Sequence, residues 1–292
     1  EGYTVAANYA GNDEAAAKFK EETGIPVYKF DVGDFDAVSA AALALTPAPG
    51  EARPFAEDLA RRVAEHRPST VLEVAAGSGR LTRELLRSLP PHTEVVATDL
   101  NPGMVVLGAR LCPEATWQVA AAGQLPFGDP SFDLLVCQFG VMFFPDKSAA
   151  WADFARVTRP GGLVLVTTWT DAREHAYADA LVHAVEDVCG EDPPTFVVRV
   201  PHGYHDVDEL TAGAEAAGLT EVRVHPVTLQ GHAESVAAVG RGFATGTPLA
   251  AELAARGDLD EAAERIAEGM VRQLGPGPVS LPMTALVIEG RA

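Results

Sequence analysis

Two hydrophobic rhythms share the chain from about residue 55 onward. One consists of short, nearly continuous apolar runs: Val71-Leu72-Glu73-Val74-Ala75, Val95-Val96-Ala97-Thr98, Leu134-Leu135-Val136-Cys137 and Leu163-Val164-Leu165-Val166. Such runs are expected of strands covered on both faces. The other has helical spacing: Phe55, Leu59 and Val63; Leu81, Leu85, Leu86 and Leu89; Trp151, Phe154 and Val157. The alternation predicts strands over 70–75, 94–99, 116–120, 132–137, 163–169, 220–229 and 283–289. Helices are predicted from Pro54 to near Arg67-Pro68, over 80–89, after the Asn101-Pro102 cap, around Trp151, over 176–188 and over 208–217. Strands alternating with helices imply an open α/β sheet with helices on both faces. Residues 232–274 carry helical patterns broken at Gly246-Thr247-Pro248 and Gly257-Asp258. They read as a helical cap insertion, a natural place for substrate recognition.

The first strand ends in Ala75-Ala76-Gly77-Ser78-Gly79, and the second ends at Asp99, about twenty residues later. Glycines at such a turn let a ligand approach the backbone, and the following helix start offers free N–H groups. An acid at the tip of the second strand can accept hydrogen bonds from both hydroxyls of a ribose. The dinucleotide fingerprint requires a third glycine three residues after the second. Thr82 stands there instead, and Glu73 lies four residues before Gly77.

Composition narrows the partners. The 292 residues are 47% hydrophobic, ample for a core, and carry a formal net charge of −19. That charge argues against nucleic acid and against docking on an anionic membrane. No apolar run reaches the length of about 18 residues needed to span a bilayer, and no secretory signal is visible. Cys112, Cys137 and Cys189 are unpatterned, as expected of reduced thiols in a cytoplasmic protein. Cys137 reads either as a pocket-lining residue or as a small buried one.

Glu73-x-x-x-Gly77-x-Gly79 resembles motif I of the class I S-adenosylmethionine methyltransferases. Further motifs follow in order: Leu125-Pro126-Phe127, Ser131-Phe132-Asp133 with its strand, Phe144-Pro145-Asp146-Lys147 with its helix, and Arg159-Pro160-Gly161-Gly162 with its strand. That order resembles the UbiE-like small-molecule methyltransferases, over residues 55–292. The resemblance implies a Rossmann-like seven-stranded sheet whose last strand is antiparallel and inserts beside the fifth. It implies S-adenosylmethionine as cofactor and a small-molecule acceptor such as a quinone or polyketide. It assigns Glu73, Ala75, Gly77, Ser78, Gly79, Asp99, Leu100, Met104, Gly123, Gln124, Cys137 and Gln138 to the cofactor. Relatives place an aspartate at the position of Ala121 to meet the adenine amino group. Losing one such bond costs about 1 kcal/mol, and Gln124 is the candidate to replace it.

Residues 1–40 differ in character. Lys18, Lys20 and Lys29 fall in this stretch, the first arginine is Arg53, and lysine recurs only at Lys147. The segment reads as strand 3–9, helix 13–23 and strand 26–32. Gly2-Tyr3-Thr4-Val5-Ala6-Ala7-Asn8-Tyr9 and Glu22-Thr23-Gly24-Ile25-Pro26-Val27 resemble a fragment of acetoacetyl-CoA reductases of the short-chain dehydrogenase family. That makes the segment a β-α-β remnant, either grafted or genuinely fused. No tyrosine here has lysine four positions later, so the Tyr-x-x-x-Lys pair of those reductases is missing. Residues 41–54, with Pro47, Pro49 and Pro54, read as a linker. UbiE-like enzymes usually carry a helical lid before the first core helix, and here it is either lost or shortened to 37–45.

Methyl transfer needs positioning above all, and a base where a hydroxyl or amine proton must leave. His202 and His205 in Pro201-His202-Gly203-Tyr204-His205-Asp206 are the candidates. The same stretch also reads as a loop with a helix cap, and the spacing has a metal-site reading. His175 and His183 read either as reaching a cap-lined pocket or, the favoured reading, as surface residues. Two rival functions stand beside methyl transfer: a non-catalytic S-adenosylmethionine-binding protein and an NAD(P)-dependent reductase.

Overall fold

The computed structural model describes residues 54–128 and 130–292, together with the backbone of strands β1 (Ala7–Tyr9) and β2 (Val27–Lys29). Those two strands pair in parallel, shorter than the expected 3–9 and 26–32. The expected helix over 13–23, the shortened lid over 37–45 and the linker before Pro54 lie outside the described residues.

The main body is a seven-stranded sheet. In chain order its elements are α1 (Pro54–Glu65), β3 (Thr70–Val74), α2 (Arg80–Ser88), β4 (Glu94–Asp99), α3 (Pro102–Leu111), β5 (Thr116–Val119) and β6 (Phe132–Gln138). There follow α4 (Lys147–Val157), β7 (Thr158–Trp169), α5 (Ala176–Cys189), the one-turn α6 (Phe196–Arg199), α7 (Val207–Ala216) and β8 (Thr220–Ala233). Helices α8 (Val236–Gly246), α9 (Leu249–Ala254) and α10 (Leu259–Leu274) then lead to β9 (Val279–Arg291). The strand order is β5-β4-β3-β6-β7-β9-β8. Strand β9 runs antiparallel to both β7 and β8, as the resemblance implied.

The apolar runs are strands because both faces are covered. Val71, Leu134 and Val136 face the side packed by Leu59 and Val63 of α1 and by Leu81 and Leu85 of α2. Leu72, Val74 and Leu135 face Trp151 and Phe154 of α4 and Leu210 of α7. A third apolar cluster joins Leu181 of α5, Phe196 of α6 and Ile266 and Met270 of α10. Among the described residues no helix is long and apolar enough to cross a membrane.

Three strand limits differ from the sequence reading. Strand β7 begins at Thr158 rather than 163, because the Arg-Pro-Gly-Gly motif continues it past an irregularity opposite Phe132 and Leu134. Strands β8 and β9 run on to Ala233 and back from Val279, since beyond Trp169 they pair with each other alone. His232 therefore lies in a strand, not in the helical insertion, whose helices occupy 236–274. The result is a two-stranded ribbon projecting past the C-terminal edge of the parallel strands.

The sequence motifs pin the sheet at defined points. Asp133 accepts hydrogen bonds from the N–H groups of Ser69 and Thr70 and pairs with Arg159. Ser-Phe-Asp and Arg-Pro-Gly-Gly thereby lock the starts of β3, β6 and β7 together. Leu125-Pro126-Phe127 is held from α4: Asp153 accepts from the Leu125 N–H, while Arg156 donates to the carbonyls of Leu125 and Phe127. Under the glycine turn, Glu73 is buried and its Oε2 accepts from the Thr82 hydroxyl at 2.6 Å. The position that departs from the dinucleotide fingerprint is thus the partner of the motif's acid. Burial, reinforced by the nearby Asp99, pushes the Glu73 carboxyl up to about 8 against the pull of Thr82.

Two outcomes follow from these contacts. Asp153→Ala orphans the buried Leu125 N–H and should lower the unfolding free energy by about 1–3 kcal/mol in urea titrations, with Asp153→Asn losing less. Between about pH 5 and 8 the unfolded Glu73 gives up its proton while the folded one keeps it. Each step up in pH then favours the unfolded chain. Glu73→Gln should gain stability relative to wild type as pH rises through that window, measured as the difference in urea midpoints.

Candidate cofactor and acceptor site

The site lies at the C-terminal ends of β3, β4 and β6, where the strand order reverses and an open α/β sheet leaves a crevice. The turn after β3 is unusual backbone throughout. Ala75 has φ 57°, Gly77 φ 56° and Gly79 φ 84°. A Cβ on Gly77 would meet nothing within 4 Å, so the turn presents bare backbone to open space there. Gly79 is closed instead: a Cβ would come within 3.1 Å of the Trp117 ring and 3.2 Å of Cys112 Sγ. One glycine faces the crevice, and the other lets the N-terminus of α2 settle onto its neighbours. Ser78 lies between them, half-buried.

Asp99 is fixed by backbone on both sides. Its Oδ2 accepts from the Gly77 N–H at 2.8 Å and its Oδ1 from the Asn101 N–H at 2.8 Å. A carboxylate has about four acceptor positions, so each oxygen retains capacity for a ligand hydroxyl. Leu100 beside it is 69% exposed, and Met104 on α3 is half-buried. Together they offer apolar surface next to the acid. Gly123 packs against α4, where a Cβ would lie 3.0 Å from Ala149 Cβ, and Gln124 is exposed. These features fit S-adenosylmethionine: a bare turn and helix N-terminus, an acid for the ribose, and apolar flanks for the base.

Two expected cofactor residues are placed elsewhere. Glu73 is buried beneath the turn and shapes it rather than opening to the crevice. Cys137 is fully buried on the α4 side of β6, because alternate residues of a strand point to opposite faces. Burial pushes its thiol up to about 12. Its assignment to the cofactor is therefore corrected to core packing. Gln138 does reach the crevice, with Nε2 donating to the Phe55 carbonyl at 3.0 Å.

From Arg80 and Gln138 a cavity of about 480 Å³ extends under the cap. Its wall at the sheet end is aromatic: the Phe139 and Trp169 rings stack at 3.9 Å, and Phe55 stands edge-on to Trp169 at 5.1 Å. Phe139 sits at φ 53°, a conformation that costs an aromatic residue on the order of 1–3 kcal/mol. Tyr177 of α5, Phe243 of α8, Met270 of α10 and Met283 of β9 close the other sides. Phe139 and Phe143 line the cavity, while Met142 and Phe144 from the same stretch pack in the core.

The histidines separate in the same way. His202 is buried and lines the cavity, its Nδ1 donating to the Thr170 carbonyl at 2.7 Å. Nδ1 of His205 donates to the His202 carbonyl at 2.6 Å, and Asp206 caps α7 by accepting from the Glu209 N–H. The loop-and-cap reading thus describes His205 and Asp206. Among the described residues no group of three or more His, Cys, Asp or Glu side chains is placed to hold a metal. His175 is fully buried, not at the surface, because Trp169, Tyr177 and His202 enclose its ring. Burial pushes it down to about 4. His183 is exposed, as expected. Trp169, Tyr177 and Phe243 were missed by the sequence reading. Their only signal was aromatic residues near predicted strand and helix ends.

Comparison with known proteins agrees with this geometry. Residues 71–162 match the family model described as a methyltransferase domain. An uncharacterized protein of Mycobacterium tuberculosis is 40% identical over 104 residues, 34% of this chain and 37% of that protein. The chain thus matches little more than a third of such mycobacterial relatives. The ubiquinone/menaquinone biosynthesis C-methyltransferase UbiE of Burkholderia orbicola is 30% identical over 167 residues, 53% of this chain and 69% of that protein. In fold, the chain is similar to the YcgJ protein of Bacillus subtilis, with a TM-score of 0.53 at 20% identity, covering 81% of this chain and 97% of that one. With the glycine turn, the Asp99 tip and the β5-β4-β3-β6-β7-β9-β8 sheet in place, the chain belongs to the UbiE-like family of class I S-adenosylmethionine-dependent methyltransferases.

Proposed function

We propose that this chain transfers a methyl group from S-adenosylmethionine to a small, apolar acceptor held between the sheet and the cap. The observation that carries this reading is the aromatic-walled cavity of about 480 Å³ that starts at Arg80 and Gln138, directly beside the glycine turn. Bound S-adenosylmethionine supplies an electrophilic methyl group on a sulfonium whose departing form is a neutral thioether.

The chain's own work is placement and exclusion of water. Asp99 holds the ribose hydroxyls, Gly77 admits the ligand to the backbone, and Gln138 fixes the α1 end of the crevice through Phe55. The aromatic walls orient a flat acceptor by ring contacts. Holding two reactants in line removes much of the entropic barrier of a bimolecular step.

The charge pattern refines the acceptor. Among the described residues lining the cavity there is no carboxylate, and Arg80 is the permanently charged one. A protonated amine would enter an apolar space without a counter-charge, at a cost of several kcal/mol. Neutral apolar molecules of the quinol or polyketide kind suit the walls.

Calorimetric titration with S-adenosylhomocysteine tests the site. Wild type should bind, and Asp99→Ala and Gly77→Val should each bind roughly 10- to 100-fold more weakly, as expected for loss of a charge-assisted hydrogen bond or of the open turn. Equal affinity in all three proteins, or no binding by wild type, would sink the reading.

A further inference from the structure

We propose that His202 is the proton acceptor for an acceptor molecule that enters the cavity carrying a hydroxyl group. The proposal rests on the cavity being the acceptor site, as argued above.

The geometry selects this imidazole. The Thr170 carbonyl, 2.7 Å from Nδ1, fixes the ring proton on that nitrogen. Nε2 then presents its lone pair. Its nearest protein partner is the Tyr177 hydroxyl, at a long 3.4 Å, and Tyr177 lines the same cavity. A hydroxyl arriving in the cavity can displace or join that weak contact.

The other polar lining groups do not serve. Arg80 has no acceptor, Gln138, Gln230 and Thr247 cannot take a proton near neutral pH, and His232, on the ribbon, is exposed to solvent.

The surroundings of His202 also fit a base. Burial holds its conjugate acid below the ordinary 6.5, and His205 works in the same direction. The Thr170 hydrogen bond and Asp171 work the other way. The imidazole is therefore neutral near pH 7. His175 stands behind it, ring centres 4.9 Å apart, with Nε2 2.9 Å from the Thr170 hydroxyl and Nδ1 buried without a partner. Thr170 thus orients both rings, one through its carbonyl and one through its hydroxyl.

The step balances within the site. The acceptor's O–H bond breaks, the proton passes to Nε2, and the bonding pair stays on oxygen as the nucleophile. After product leaves, the imidazolium returns its proton to water.

The test uses the full chain saturated with S-adenosylhomocysteine, with 2-naphthol and 2-methoxynaphthalene as probes in equilibrium dialysis. Wild type should prefer the naphthol roughly 5- to 10-fold at pH 8, the size of one net hydrogen bond. The preference should weaken as the pH is lowered below the ordinary imidazole range and Nε2 takes up a proton. His202→Asn keeps a donor for the Thr170 carbonyl but loses the atom at Nε2. It should show no preference at any pH while binding S-adenosylhomocysteine as wild type does. Tyr177→Phe should keep the preference or raise it, an outcome that a purely structural Tyr177–His202 contact would not give.

Naphthol binding that is absent, no tighter than methoxynaphthalene binding, independent of pH, or unchanged in His202→Asn overturns the assignment. Loss of S-adenosylhomocysteine binding by wild type would instead remove the methyl-transfer reading beneath it.

Discussion

The hydrogen bond from the Gly77 N–H to Asp99 Oδ2 ties together the ends of two neighbouring parallel strands. Register places β3 and β4 side by side, with Val74 opposite Thr98, so both chains leave the sheet at the same edge. The turn after β3 has left-handed backbone at Ala75, Gly77 and Gly79 and needs an external acceptor for its N–H groups. Asp99 supplies one while keeping acceptor capacity toward the crevice. A single carboxylate therefore shapes the turn and faces the ligand.

The two edges of the sheet divide the labour. At the edge where the parallel strands begin, Asp133 and Arg159 bind β3, β6 and β7 into one register. At the edge where they finish, several polar groups, Glu73, His175 and His202 among them, are held away from water. Glu73 is protonated through the neutral range by its burial, and His175 is held neutral for the same reason. Ionisable groups in such a setting are governed by desolvation first and by neighbours second. The aromatic-walled cavity shares this environment, with His202 and Tyr177 buried in its lining.

Much of the sheet was legible because its strands are covered on both faces, and continuous apolar runs such as Leu163–Val166 mark such strands. The glycine turn and Asp99 were legible through their types and spacing. Cys137 and Glu73 were not: a residue's position at a strand end does not say which face it takes, and alternation along β6 and β3 turned both inward. The ribbon beyond Trp169 was shortened in the reading because Gly231 and Pro282 interrupt its pattern, although they pair with Leu281 and Gln230 respectively. The aromatic cavity was hidden for a different reason. Phe55, Trp169, Tyr177 and Phe243 lie more than a hundred residues apart in places and meet only once the cap folds back.

The ribbon of β8 and β9 also determines how the cap is attached. Helices α8 to α10 leave the body through one of its strands and return through the other, so this pair is their covalent stem. Met283 and Leu281 on one strand and Gln230 on the other form part of the cavity wall. Wall and roof therefore share one attachment to the sheet, on the side of β7 away from the glycine turn.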